Sequence, residues 1–394
     1  MVKKASLFAL LVCLCLPAFC DSPVLQLYKQ RFSMADLSAK AQILENAAND
    51  ITFNEDIGQF YEYTLQFALD NSMLLKNDHT MLRIIDISVK GMALSGLGKA
   101  NYSNSLDILW KLFMEYPDSS IGAEILIAIG KLGKNNQNII EGVNNYLTEK
   151  NVLYRSGSSV NYVMISACII ATMELNDSSF YPALFAVLCL GYPEMIKLEA
   201  HGALDIISGN LKQFLSDMIE KGDPAEKYFA LMSGINSNKL TVSERGQLAE
   251  IALEQSLING ENADLSAMRY ATVRALTQLR WTRANNLAIR HFYRVQTEFQ
   301  NRAVARERFL EAIALLGAVG NSDAALALCL QLGLINARTE RTGNFDEEIT
   351  LAIVRALGLI GDKAAFDHLL NVSNLLYPEN ILAAAGEAID RLRW

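Results

Sequence analysis

The sequence predicts an all-α fold built of stacked helical pairs, and three observations carry that expectation. Among 394 residues there are only 7 prolines and 23 glycines, too few for the frequent turns of a many-stranded sandwich or barrel but enough for long helices with short connections. Apolar stretches of helical length alternate with short polar corners. One of these helix-corner-helix units recurs at a fixed distance, which is the mark of a repeat architecture.

The clearest unit runs from Ala352 to Leu370: an apolar helix, a Gly361-Asp362 corner and a second apolar helix. Gly361 can adopt the left-handed backbone that ends one helix, and Asp362 can cap the free amides of the next. The pattern returns at Ala312 to Leu326, with Gly320 lying 41 residues before Gly361. Looser copies follow the same order. Ile125 to Leu132 with Gly133 precedes Ile139 to Leu147, and Val89 to Leu97 with Gly98 precedes Leu106 to Phe113. Further pairs read as Met164 to Leu175 with an Asn176–Ser179 corner and Pro182 in the next first turn, and as Leu198 to Ile207 with Leu211 to Ile219. A divergent stretch, Asp223 to Leu257, leads to Met268 to Leu279, an Arg280–Arg283 corner and Leu287 to Phe299. The last helix, Ile381 to Trp394, reads as a terminal cap.

This series of paired helices with Gly-Asp corners resembles the HEAT-like, armadillo-type repeats related to those of phycobiliprotein lyases. The resemblance is best over residues 303–394, moderate over 84–150 and weak elsewhere. It implies a right-handed α-solenoid of about eight HEAT-like helical pairs. Gly98, Tyr102 and Pro117 echo the tetratricopeptide pattern, yet their spacing is too short for that 34-residue unit. The implied organisation is a signal peptide at 1–20, an N-terminal helical cap at 21–78 rich in aromatics (Phe53, Phe60, Tyr61, Tyr63, Phe67), and a solenoid at 79–394. Stacked pairs cover one another's apolar faces and leave an extended surface of second helices, which suits binding rather than catalysis.

The first residues carry Lys3 and Lys4, an apolar run from Leu7 to Phe19, and small or polar residues at Cys20 to Ser22. That order is the order of a secretory signal, and the run is shorter than the roughly 20 residues a spanning helix needs. Ala18-Phe19-Cys20 fits ordinary cleavage, giving a mature chain beginning near Asp21. Leu16 to Cys20 loosely fits a lipoprotein box, with lipidation of Cys20 as the competing route. The expected location is therefore exported, in the periplasm or cell envelope of a bacterial type, with membrane attachment only through that lipid. Cys168, Cys189 and Cys329 remain, an odd number without metal spacing, and are expected to be small packed hydrophobes.

No catalytic motif is present. The sequence has no His-Glu-x-x-His, no Gly-x-x-x-x-Gly-Lys-Ser/Thr, no Gly-x-Ser-x-Gly and no Cys-x-x-Cys. None of His79, His201, His291 and His368 is followed by glutamate, as repeat-type di-iron hydroxylases require. The expectation is a non-enzyme with no metal and no cofactor. Net charge is −8, or −10 without Lys3 and Lys4, which speaks against a nucleic-acid partner.

One segment departs from this acidity. Residues 269–308 hold nine arginines, Arg269, Arg274, Arg280, Arg283, Arg290, Arg294, Arg302, Arg306 and Arg308, against Glu298 and Glu307 alone. Trp281, His291, Phe292, Tyr293 and Phe299 are interleaved, a composition enriched in interface anchors. Like charges at Arg290/Arg294 and Arg302/Arg306 share helix faces at a small energetic cost. Two uses fit them: pairing with acids of neighbouring repeats, or contact with an anionic patch on a partner. Arg280, Trp281, Arg283, Arg290, Arg294, Arg302 and Arg306 are the candidate partner-binding residues, and the expected function is an envelope interaction scaffold for protein partners. Recognition of an anionic small or polymeric envelope ligand is the alternative.

Overall fold

The computed structural model describes residues 21–95, 103–117, 119–258 and 262–393. The signal-peptide and Cys20 readings, with Gly98 and Tyr102, fall outside the described residues. Within them the regular structure is helical: 21 α-helices joined by short turns, with a single β-bridge between Asp362 and Arg393. No described helix is long and apolar enough to cross a membrane. The chain divides into two compact units that part within residues 184–199.

The first unit contains α1 (Pro23–Met34), α2 (Leu37–Asn49), α3 (Ile57–Asp70), the short α4 (Ser72–Leu75), α5 (His79–Ser95), α6 (Ser103–Glu115), α7 (Ser120–Leu132), α8 (Gln137–Arg155) and α9 (Tyr162–Leu175). Helices α3, α5, α7 and α9 pack side by side in one layer, and α6 and α8 lie against them in a second. Aromatics fill its N-terminal end, where Phe32, Phe53 and Phe60 are fully buried and Tyr28 stacks 4.3 Å from Phe53. Helices α10 (Tyr181–Cys189) and α11 (Glu194–Ile206) carry the chain through the division.

The second unit contains α12 (Leu211–Lys221), α13 (Pro224–Asn236), α14 (Val242–Ile258), α15 (Ala263–Leu279), α16 (Asn285–Gln300), α17 (Arg306–Val319), α18 (Ser322–Thr342), α19 (Glu347–Ile360), α20 (Phe366–Ser373) and α21 (Glu379–Asp390). Here α13, α15, α17, α19 and α21 form the first layer, and α12, α14, α16, α18 and α20 the second. The divergent stretch 223–257 thus resolves into an ordinary pair. Its first helix opens with a complete capping box between Asp223 and Glu226 and with Pro224 at its first position.

The corners show how alike the repeats are. Gly361 is left-handed (φ 69°), and the Asp362 carboxylate accepts from the Ala364 amide at 2.9 Å. Gly320 is different: its φ is −71°, and Asn321 supplies the cap to Asp323 and Ala324. A side chain at Gly320 would place its Cβ 2.3 Å from the Leu316 carbonyl, so crowding rather than handedness demands glycine there. The terminal helix is shorter than its sequence suggested. It stops at Asp390, because Leu392 turns inward and the Arg393 amide donates to the Gly361 carbonyl at 2.9 Å.

A second repeated device was not recognised in the sequence. Asp36 caps α2, and Lys40, four residues on, reaches back to the Phe32, Ser33 and Ala35 carbonyls at 2.5, 3.3 and 2.5 Å. Asp223 caps α13, and Lys227 reaches back to the Ile219 and Glu220 carbonyls at 2.7 and 2.6 Å. Each buried ammonium satisfies carbonyls at or just past the end of the preceding helix, which otherwise lack intrahelical partners. Burial pushes both lysines below the usual ammonium range.

Within each unit the first-layer helices approach through small residues. A Cβ on Gly130 would lie 2.6 Å from the Ala171 Cα, joining α7 to α9. Gly317 faces Ala356 between α17 and α19, and Gly358 faces Ala388 between α19 and α21, both at about 3 Å. Gly130→Ala is expected to lower unfolding free energy by about 1–3 kcal/mol through overpacking. Gly386→Ala, on the open face of α21, should instead raise it by up to ~1 kcal/mol. Urea midpoints of the two variants check both directions.

Candidate partner-binding surface

The arginine segment spans α15, α16 and the start of α17, and most of its charge is consumed inside the unit. Arg269 is buried at 5% exposure; its Nη1 and Nη2 donate to the two Glu298 oxygens at 2.9 and 3.0 Å. Arg294 donates from Nε to the same carboxylate at 3.0 Å. Burial opposes the charge on Glu298, but the hydrogen bonds and positive charges of Arg269 and Arg294 outweigh it and hold its pKa below the usual range. Arg269 also donates to the Tyr270 hydroxyl at 3.1 Å, and the Arg308 guanidinium lies 4.1 Å over the Tyr270 ring. Arg308 and Arg274 both pair with Glu311, at 2.9 and 3.6 Å.

Trp281 and Arg283 converge on Glu250 of α14, Arg283 while still exposed to solvent. The indole Nε1 donates to Glu250 at 2.8 Å, and Arg283 approaches the same carboxylate at 3.6 Å. Gly246 leaves room for the indole, since a Cβ there would come within 2.5 Å of it. Arg280 is left-handed (φ 48°) and ends α15, while Arg302 is left-handed (φ 56°) in the turn after α16. Arg306 pairs with Asp346 at 3.1 Å and Glu348 at 3.2 Å.

The structure therefore does not gather Arg280, Trp281, Arg283, Arg290, Arg294, Arg302 and Arg306 into one patch. Arg280 and Arg283 lie at one end of α16, and Arg302 and Arg306 at the other. At 1.5 Å per residue the 16 residues of α16 separate them by about 24 Å. Arg283, Arg294 and Arg306 meet acids of the chain itself, which lowers the cost of crowding nine cations in one segment. Among the described residues Arg280, Arg290 and Arg302 are exposed without an ion pair, and only Arg290 projects from the middle of a helix.

His291 is buried among these cations, fully enclosed with neither ring nitrogen hydrogen-bonded. Burial, reinforced by Arg269 and Arg294, pushes its pKa down to about 3. The other cysteine and histidine expectations concern packing. Cys168 and Cys329 are buried and Cys189 half-buried, none in a disulfide, and burial raises the Cys329 thiol to about 11. Among the described residues no group of three or more His, Cys, Asp or Glu is placed to hold a metal ion.

The surface that sequence reading missed lies on α18. Its buried face carries Ala325, Leu328, Leu332 and Asn336, whereas Leu326, Leu330 and Leu334 stand 51–65% exposed on the opposite side. Spacing by four puts the three on one stripe, so this part of the helix has two apolar faces. Neighbours in the second layer align with it. The Gln296 amide of α16 donates to Gln331, and Asn336 donates to the His368 carbonyl of α20 at 3.3 Å. Tyr293 on α16 and Leu370 on α20 are also partly exposed, 42% and 44%, and Arg290 lies one turn from Tyr293.

No protein-family model matches this chain, and no curated protein matches it in sequence.

Two outcomes follow from the arginine cluster. Glu298→Ala leaves Arg269 buried without its partner and is expected to cost about 3–5 kcal/mol, read from chemical denaturation. His291 binds no proton in the folded chain above about pH 3 but takes one when unfolded below about 6.5. Stability is thus full above pH 6.5 and falls toward pH 3, with a slope approaching ~1.4 kcal/mol per pH unit. His291→Phe should flatten that part of the profile in unfolding curves recorded between pH 4 and 7.

Proposed function

We propose that the protein is an exported interaction scaffold of the cell envelope or periplasm, in which HEAT-like helical pairs stack as a right-handed α-solenoid and hold a protein partner on their second-layer helices. The observation that carries this reading is the exposed stripe of Leu326, Leu330 and Leu334 on α18, with Tyr293 and Arg290 exposed on the neighbouring α16. Solvent-facing leucines at this density are costly to leave in water and mark interaction surfaces when they are contiguous. The matching partner is an amphipathic segment that lays apolar side chains along α18 and sets a carboxylate against Arg290. Such a face needs neither cofactor nor metal, and no catalysis is assigned to it.

Export rests on the N-terminal tripartite pattern, with Cys20 either removed with the signal or lipidated as the only tie to the membrane. An acidic chain in that compartment has no nucleic-acid partner. The arginine residues originally expected to bind are reduced in this reading to Arg290, because Arg294, Arg283 and Arg306 serve internal pairs.

In-cell crosslinking of the wild-type chain and of Leu330→Glu and Arg290→Glu variants provides the test. Both residues are solvent-facing, so circular dichroism should be unchanged. Loss of a specific crosslinked partner by at least about tenfold in Leu330→Glu, and a smaller loss in Arg290→Glu, is expected. Equal partner recovery from all three chains would eliminate this surface as the docking site.

A further inference from the structure

A cleft of about 360 Å³ opens in the second unit between the end of α14, the first turns of α15, the C-terminal half of α16 and the turn that follows it. That volume lies near the lower end of the range for small-molecule sites. Its polar side is formed by Arg269, Arg294 and Glu298, and its apolar side by Ala263, Leu265, Ala303 and Val304.

The charges in the cleft do not cancel. Two guanidiniums share one carboxylate, leaving one net positive charge in a partly enclosed site where it is poorly screened. The donors do not balance either. Both Glu298 oxygens are already occupied by Arg269 and by Arg294 Nε. Arg294 makes one further, long contact of 3.5 Å from Nη1 to the Leu257 carbonyl. Of its five N–H groups, the remaining Nη1 hydrogen and both on Nη2 meet no acceptor among the described residues. Because guanidinium only donates, the group that complements these N–H donors is an anionic oxygen pair.

We infer that this cleft binds the carboxylate of a small aliphatic acid, held by Arg294 against the Arg269–Glu298 pair with its chain against Leu265 and Val304. A single negative charge matches the single net positive charge, whereas a phosphate dianion would leave one charge uncompensated beside Glu298. The site is separate from the leucine row of α18, so it stands or falls independently of the scaffold reading.

Methyl-labelled full chain, titrated with butyrate at neutral pH and observed by NMR at Leu265 and Val304, tests the assignment. Saturable shifts with a millimolar dissociation constant are expected. Butyramide, which keeps the shape and lacks the charge, should bind at least about tenfold more weakly. Arg294→Gln should weaken butyrate to a similar degree while keeping the Arg269–Glu298 pair. Ser266→Trp, which fills the opening without touching that pair, should abolish the shifts and decides the matter if Arg294→Gln does not fold. Absence of saturable shifts, equal binding of butyramide, or equal shifts with inorganic phosphate would each overturn the inference.

Discussion

The fold depends on how closely first-layer helices can approach. Gly130 against Ala171, Gly317 against Ala356 and Gly358 against Ala388 bring backbones together where any larger residue would force them apart. Close approach lets dispersion contacts accumulate along whole helices and leaves the second layer to be carried on a narrow, rigid base. Gly317 and Gly358 are 41 residues apart, the same interval as the corner glycines Gly320 and Gly361. One repeat therefore fixes both where a helix ends and how near its neighbour lies.

Electrostatics in the second unit follow from that packing. Once α15, α16 and α17 are packed together, their arginines reach acids on the same helix or on a neighbouring one. Arg269 and Arg294 reach Glu298, Arg274 and Arg308 reach Glu311, and Arg306 reaches Asp346 and Glu348. A buried arginine is tolerated only because its carboxylate is supplied across the interface in bidentate geometry. Burial, reinforced by the charges of Arg269 and Arg294, keeps His291 neutral in the same environment. Lys40 and Lys227 solve a related problem at helix ends, bringing a charge inward to satisfy carbonyls that no helix continues.

On α18 of the second layer, part of the outward face is apolar. Leu326, Leu330 and Leu334 form a ridge on α18 whose other face is equally apolar and buried. A helix with two apolar faces is fully covered only when something packs on both. First-layer helices are sealed by neighbours, whereas α18 in the second layer is covered on one side only.

The sequence by itself determined that the chain is all-helical, the rough position of many of its helices, and that Gly361 and Asp362 close a corner, because periodicity, glycine and capping chemistry are local properties of neighbouring residues. It also located the arginine-rich segment, and it left open whether those cations serve the chain or a partner. Only the tertiary structure decided that question, since each pairing acid lies 3 to 42 residues away and most sit on another helix. It alone decided that Gly320 is chosen for crowding rather than handedness, that the last helix stops at Asp390, and which leucines of α18 face water. Which of two apolar faces of a helix is buried depends on what packs against it, and no local pattern records that.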